Sequence, residues 1–447
     1  MRGSTAGLTE GTVESRHSIY DAFLVLLDVL FSSVIAAPVV IAYWRGAWNL
    51  MQYIFYPHNP TASALVTTFI GIIGHFIFFY CQNWLSRTFN PDKHRLTFMI
   101  VSRIYTAIYG FVCISAWRGP WALLDLYSES RIWTLIIVTV ICIVLLVFCK
   151  GLRNISSTPF GVSTDHSKDY FVTPTMFKSS VSETNTNKKS KIFKNFIECL
   201  KNIETKASKE PAFYFIDCAF SVIVIGTLVV LVWRSLWVIF DLLIFPREQT
   251  LSAWYSLAIG YGIVAITFAL QPLMKLACDR LTGLWRIAAC DAFLFFSFVG
   301  TVNVWRGVWQ LLDLHLFPEN PVMSNLLCHG VSFFFLAMLN CSNSVLVRGV
   351  FIDAEEPMGQ CVIFPVYYIR LFVQKERTKK QRRILDALEK GDLQTELLEK
   401  SEKNTPKIVK SSAKSIEMTN MANIKPTKIE NGYEKENYPN GEHKIGQ

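Results

Sequence analysis

The sequence predicts an all-α membrane protein whose eight transmembrane helices form four parallel two-helix repeats in two similar halves. Three observations predict this fold. The 447-residue chain is 51% apolar and only 18% charged, whereas about a quarter of the residues in a soluble domain are charged. Eight apolar blocks follow one another, each roughly 18–20 residues long and so able to cross a bilayer. A tryptophan–arginine phrase also recurs four times in the chain.

The eight blocks set the predicted helices in order. The fourth is uncharged from Ile132 to Cys149, and the sixth lies in a stretch without charge from Leu251 to Met274. One such block is compatible with a buried helix of a soluble protein, but eight in succession indicate membrane spanning. The first block is too long for a cleaved leader, so we expect no secretory signal peptide. The blocks cover residues 24–43, 62–81, 98–116, 132–149, 213–232, 252–271, 287–304 and 325–347.

The distribution of Lys and Arg predicts the topology and the division into domains. The connections after blocks two, four and six are rich in Lys and Arg, and such loops lie on the cytosolic side. We therefore expect both termini to be cytosolic and the protein to be multi-pass in the plasma membrane. The linker and the end of the tail are polar and are predicted to be disordered. The predicted domains are a cytosolic N-terminus (1–20), a first half (21–150), a basic linker (151–210), a second half (211–350) and a cytosolic tail (351–447).

The recurring phrase has the form Trp-Arg-x-x-Trp, with Gly or Ser after the arginine. The intervals between its copies are nearly the same in the two halves, which is typical of internal duplication. Eight residues after the first tryptophan, the first copy has Gln52 and the other three copies have aspartate. The residues of the phrase are Trp44, Arg45 and Trp48; Trp117, Arg118, Trp121 and Asp125; Trp233, Arg234, Trp237 and Asp241; and Trp305, Arg306, Trp309 and Asp313.

Three roles are open for this phrase. Tryptophan favours the membrane–water interface, so each phrase is interpretable as an anchor on a short amphipathic helix at the outer surface. Alternatively, the arginine of one unit pairs with the aspartate of its neighbour in a packing girdle, and the small residue lets the backbones approach closely. The third interpretation is the mouth of a pore or of a substrate path.

Four charged residues and His75 lie inside the predicted spans, where ionisable groups are costly and often functional, and His75 is interpreted as a hydrogen-bonded core residue and not as a proton relay. Asp28, Arg103, Asp217 and Asp291 stand 14 or 16 residues before the first tryptophan of their repeats. This spacing predicts a common depth near the inner interface. Three acids and one arginine at one level predict either a structural ion-pair cluster or part of an ion path.

The tail contains a basic cluster, Lys375–Arg383, that follows an apolar stretch. This arrangement predicts binding to anionic lipid of the inner leaflet, and a helix that binds an acidic partner is the alternative. The chain has no phosphate-cradling loop, no zinc-binding His-Glu motif and no nucleophile elbow. We therefore expect no enzyme activity, no catalytic residue, no metal or other cofactor, and no nucleic-acid partner.

The eight blocks, the repeated WRG-x-W…LLDL…FP phrase and the basic linker resemble the Fuseless family of animal membrane proteins over about residues 20–350. The resemblance implies a neuronal protein of the presynaptic active zone. It implies a role in organising voltage-gated calcium channels there, and hence in neurotransmitter release. The implied partners are presynaptic scaffold or calcium-channel components. The alternative is a small-solute transporter or ion channel built from the pseudo-symmetric eight-helix bundle.

Overall fold

A computed structural model describes residues 19–91, 94–165, 169–177, 211–353 and 360–389. The chain divides into two compact units, Met1–Gln374 and Lys375–Gln447. The predictions for residues 1–18, for most of the linker and for the end of the tail lie outside the described residues.

Among the described residues, the first unit contains eight apolar helices. Seven of them are long and apolar enough to cross a membrane: α1 (Ile19–Ile54), α2 (Pro60–Thr88), α3 (Arg95–Tyr127), α5 (Ala212–Leu243), α6 (Gln249–Arg280), α7 (Gly283–His315) and α8 (Pro321–Met338). The remaining one, α4 (Ile132–Phe148), has 17 residues and is shorter. A polar helix, α9 (Ile369–Glu389), begins in the first unit and continues into the second.

The turns that follow α1, α5 and α7 share one backbone conformation. In each turn an aromatic residue with positive φ precedes a proline, which cannot continue a helix. Asn59 then accepts the N–H of Ala62 at the start of α2, and Asn320 accepts that of Met323 at the start of α8. The residues with positive φ are Tyr56, Phe245 and Phe317.

The helices form two layers around a common centre. The four helices that carry the tryptophan phrases, α1, α3, α5 and α7, form the inner layer and contact their neighbours in a closed square. In the outer layer, α2 packs on α3, α4 on α5, α6 on α7 and α8 on α1. The second helix of each pair therefore packs on the first helix of the next pair, and the contact between α8 and α1 closes the bundle.

Glycines after the arginines bring the two layers close together. A Cβ added to Gly46 would lie 2.5 Å from the carbonyl oxygen of Asn325 in α8. A Cβ on Gly307 would lie 2.9 Å from the carbonyl oxygen of Ala253 in α6. Because backbone atoms occupy this space, any side chain here would push the layers apart.

The first part of the linker corrects the prediction that the whole linker is disordered. Leu152–Ile155 form a 3₁₀ turn, and apolar side chains further along are buried in the bundle. They were missed because Ser, Thr, Asn and Lys dominate the composition of the linker and hide a few well-spaced apolar residues. The buried side chains are Leu152, Ile155, Phe160, Val162, Tyr170, Phe171 and Met176.

The chain after α8 enters the bundle in the same way. The predicted eighth span extended to residue 347, but α8 ends at Met338 and Ser342–Val345 form a second buried 3₁₀ turn. Lys150 and Asn340, each two residues before its turn, both have a φ of 54°. Because α4 and α8 are shorter than the other apolar helices, the chain can bend into the interior at their ends. We call residues 151–165 and 341–353 the re-entrant segments.

The phrases do not lie on separate short helices, as one interpretation of the sequence required. Helices α3 and α7 each run unbroken for 33 residues through their phrases. The phrase is therefore the last part of a long helix, and its two tryptophans, four residues apart, share one face.

Replacing Gly307 with Ala should lower the free energy of unfolding by about 1–3 kcal/mol, because the methyl group would overpack the contact between α7 and α6. The matched control is Gly262→Ala in α6, where an added Cβ would meet nothing within 4 Å. Unfolding in detergent micelles measures both variants. Equal stability of Gly307→Ala and wild type would contradict the close approach.

Candidate functional site

Eight tryptophans meet at the centre of the bundle in two square rings. In the first ring, neighbouring indoles contact each other edge-to-face with centroids 5.5 to 5.7 Å apart. The second ring lies one helical turn further on, with centroids 5.6 to 5.9 Å apart. This geometry is favourable for aromatic pairs. The first ring is Trp44, Trp117, Trp233 and Trp305, and the second is Trp48, Trp121, Trp237 and Trp309.

Indole N–H groups of the first ring hold the re-entrant segments. Trp44 donates to the carbonyl oxygen of Val345 at 2.9 Å, and Trp233 donates to that of Ile155 at 3.0 Å. Trp305 donates to the carbonyl oxygen of Thr158 at 2.9 Å. These three indoles are only 3–5% exposed. The structure therefore corrects the interpretation of these tryptophans as interface anchors, since they bind the protein interior.

Three of the four phrase arginines bind an aspartate of the preceding phrase. Their Nε atoms lie 2.7 Å from the carboxylate oxygens, in the pairs Arg45–Asp313, Arg234–Asp125 and Arg306–Asp241. The arginine side chains are 1–4% exposed and the aspartates 39–51% exposed. Each ion pair joins neighbouring inner helices, in the geometry of a packing girdle, and the pair of Arg45 with Asp313 joins the last helix to the first.

The fourth arginine, Arg118, has a different environment. In the part of the chain that the structure describes, no carboxylate lies within ion-pair distance of it, and the aligned residue of the preceding phrase is Gln52. Its NH1 instead donates to the hydroxyls of Ser63 at 3.1 Å and Thr67 at 3.5 Å. The departure from the repeat in the sequence therefore coincides with the missing ion pair.

The sequence analysis missed the hydroxyl and thiol groups that bind these arginines. They occupy the outer helices, nineteen and twenty-three residues after the first tryptophan of a phrase. This constant spacing could have revealed these groups from the sequence. After the second phrase neither position carries a hydroxyl or a thiol, and Arg234 donates to the carbonyl oxygen of Leu124 instead. The residues are Ser63 and Thr67 for Arg118, Ser252 and Ser256 for Arg306, and Ser324 and Cys328 for Arg45.

The predicted cluster of three acids around Arg103 does not form. Arg103 pairs with Asp165 of the linker and donates to the side chain of Asn340 at 3.0 Å. Burial raises the pKa of Asp165, although Arg103 and backbone N–H groups act in the opposite direction.

The three acids have other surroundings. Asp28 pairs with Arg370, Asp217 accepts the N–H of Phe177 at 3.0 Å, and Asp291 is buried in α7. The sequence placed these charges at one depth, but it could not reveal that linker and tail segments supply partners for Asp28, Arg103 and Asp217.

The two re-entrant segments also bind each other. The carboxylate of Asp353 accepts the N–H groups of Leu152 at 2.7 Å and Arg153 at 2.8 Å. The side-chain amide of Asn154 exchanges two hydrogen bonds, each of 2.9 Å, with the backbone of Phe351. These bonds satisfy backbone groups that would otherwise be buried without a partner.

Two cavities meet at the re-entrant segments. The smaller one, of about 210 Å³, is lined by all eight ring tryptophans. The larger one, of about 1070 Å³, extends from Trp117 to Arg370. Asn154, Ser156 and Val347 line both cavities and so form part of the partition between them. Among the described residues, no group of three His, Cys, Asp or Glu side chains is placed to hold a metal ion.

Replacing Gln52 with Asp should supply the missing fourth carboxylate and raise the free energy of unfolding by about 1 kcal/mol, since the other three ion pairs are partly exposed. Gln52→Asn is the matched control, because it shortens the side chain without adding charge. The measurement is unfolding in detergent micelles at low and at high salt. The interpretation of Gln52 as the vacant position in the girdle is wrong if both variants have the same stability at low salt.

The family model described as Fuseless matches residues 23–193 and 189–346. These ranges cover more than half of the chain and include all four phrases. No curated protein and no solved structure matches the chain. The chain is therefore a multipass membrane protein that belongs to the Fuseless family.

Proposed function

We propose that the protein crosses the plasma membrane eight times as four parallel two-helix repeats, with both termini in the cytosol. The short turns at the tryptophan end carry few positive charges, whereas Arg87, Lys275 and Arg280 lie toward the opposite end, which supports a cytosolic location for that end. A 17-residue helix such as α4 is about 26 Å long, and a bilayer that thins slightly can accommodate it.

The proposed role of the protein is to support calcium-channel localisation at presynaptic active zones, and hence neurotransmitter release. Membership of the Fuseless family is the observation that carries this proposal. In this view the bundle is a rigid membrane body and its cytosolic parts engage the channel or its scaffold.

The basic helix α9 is the described element best suited to that engagement. Its basic residues, Lys375 to Arg383, are exposed. Clustered positive charge beside a membrane binds anionic lipid, and the same charge attracts acidic segments of partner proteins. The basic cluster belongs to the second unit.

Deleting residues 375–447 should disperse presynaptic calcium channels and reduce evoked release, because it removes the second unit but leaves the ion pair of Arg370 with Asp28. Channel clusters are measured by imaging at active zones and release by electrophysiology. A second variant is a full-length chain in which the six basic residues from Lys375 to Arg383 are replaced by Gln, and it should have the same defect if these residues make the contact. Normal clusters and normal release with the truncated protein at wild-type surface levels would exclude this role for the tail.

A second function, transport or conduction of a small solute, is favoured by the larger cavity. Its position beside the tryptophan-lined cavity supports a path along the bundle axis, interrupted where Val347 and Asn154 stand between the two. The two functions are compatible, because one uses the tail and the other uses the interior.

If a solute passes along this axis, Val347→Ala should raise the flux and Val347→Trp should abolish it, since residue 347 lines both cavities. Val331→Ala is the control, because Val331 is 60% exposed on the outside of α8. Ion currents and solute uptake are measured in proteoliposomes. Equal flux in all three variants, or no flux above empty liposomes in wild type, would count against this path.

A further inference from the structure

Arg348 lies inside the bundle, on the re-entrant segment that follows α8. It donates to the hydroxyl of Tyr105, to the carbonyl oxygen of Tyr170 and, at 3.1 Å, to the side chain of Asn343. Tyr105 precedes Trp117 by twelve residues in α3, so it lies about 18 Å along the helix from the first tryptophan ring. The guanidinium of Arg348 therefore lies beside the middle of α3, although the preceding residue, Val347, lines the tryptophan cavity.

The guanidinium of Arg348 is surrounded by neutral groups. Its central carbon lies 5.3 Å from the ring centroid of Tyr105 and 5.8 Å from the ring centroids of Tyr109 and Tyr170. Within the described ranges no Asp or Glu forms an ion pair with it. The nearby carboxylate of Asp165 is already bound to Arg103, and it accepts the N–H groups of Ser342 and Asn343 as well.

This environment differs from that of five other interior arginines, whereas Arg118, which donates to Ser63 and Thr67, likewise has no carboxylate partner among the described residues. Arg45, Arg234 and Arg306 each have a carboxylate partner, as do Arg103 and Arg370. A partly buried cation without a counter-charge is costly, and membrane proteins retain such groups where they have a function. The cation–π contacts with tyrosine offset only part of that cost.

The scaffold itself does not require a charge at this position. Trp44 binds Val345 and Trp233 binds Ile155, which aligns the two re-entrant segments. In that alignment Arg348 corresponds to Thr158, an uncharged residue whose hydroxyl is buried without a partner. The first half therefore builds its re-entrant segment without the arginine.

Arg348 also lines the larger cavity, where most of the few charged lining residues are basic, although Arg370 is paired with Asp28. Arg153, Lys275 and Arg370 are the other basic residues among the described residues that line it, and Asp169 is the one acidic residue in that set. The volume of about 1070 Å³ is at the upper end of small-molecule sites, which span about 300–1,000 Å³. A guanidinium has five N–H donors. Arg348 makes three hydrogen bonds to described residues, so two N–H donors remain for a ligand.

We propose that the larger cavity is an anion-binding site, in which Arg348 binds a phosphate or carboxylate group of the ligand. An anion would supply the missing counter-charge, and guanidinium groups bind both chemistries with charge-assisted hydrogen bonds. The ligand is either a soluble anion or the headgroup of an anionic lipid. The inference goes beyond the proposed roles in channel localisation and transport, because binding requires neither a partner protein nor a flux.

The test uses the full chain in nanodiscs, with inorganic phosphate and glutamate as soluble probes and tetramethylammonium as the cationic control. In phosphatidylcholine discs, phosphate or glutamate should raise the thermal midpoint of wild type in a saturable way, whereas tetramethylammonium should not. Arg348→Gln should weaken binding by about tenfold or more, since it removes a charge-assisted contact. Arg348→Lys should retain part of the affinity because it keeps the charge. The control is Arg131→Gln, an exposed residue paired with Glu129.

A second arm distinguishes a lipid ligand from a soluble one. Discs of phosphatidic acid mixed with phosphatidylcholine, without soluble anion, should stabilise wild type more than Arg348→Gln if the ligand is a headgroup. They should stabilise both proteins equally if it is not.

Wild type that gains no stability from phosphate, glutamate or anionic lipid would overturn the proposal, because water alone would then fill the cavity. Equal gains in wild type and a folded Arg348→Gln variant would overturn the role of Arg348. If Arg348→Gln does not fold, the affinities of wild type, Arg348→Lys and Arg131→Gln are compared. A weaker affinity of Arg348→Lys alone would support the role of Arg348, and equal affinities in all three would overturn it.

Discussion

The closed square of tryptophans is the contact on which the rest of this structure depends. Four indoles in an edge-to-face cycle require four helices around one axis, with Trp305 of the last helix against Trp44 of the first. The ion pair of Arg45 with Asp313 joins the same two helices one residue further on. Closure explains why the phrase is buried and not spread over the membrane surface. A single indole on a helix prefers the interface, but four on facing helices bury one another.

The same square makes an irregular interior possible. Backbone outside a helix is tolerated at membrane depth only where its polar groups are satisfied within the protein. The indole N–H groups bind carbonyls of the re-entrant segments, and Asp353 and Asn154 satisfy much of the remainder. The tryptophans therefore hold the helices together and also supply donors to the chain that fills the centre.

The two halves differ at a few positions that would be equivalent in an exact repeat. Gln52 leaves Arg118 with hydroxyl partners in place of a carboxylate, and the second copy has no hydroxyls in register for Arg234. Arg348 has the uncharged Thr158 as its counterpart. A duplicated scaffold needs equivalent residues at equivalent contacts. Where one copy differs, the residue there either no longer makes the shared contact or has a different role.

The sequence by itself determined the helical class, the membrane character and the four phrases, because apolar run length and tryptophan spacing are local properties of the chain. It also predicted that arginine and aspartate of neighbouring units can meet, since the two residues of one phrase are seven positions apart on one helix and too distant to pair with each other. The tertiary structure alone decided where the linker goes, because a few buried residues such as Phe160 and Tyr170 are hidden in a polar composition. It also decided the partners of Asp28 and Arg103, because equal depth along separate helices does not establish which side chains face each other. Those pairings depend on how the segments after α4 and α8 fold into the bundle, and that is a long-range property.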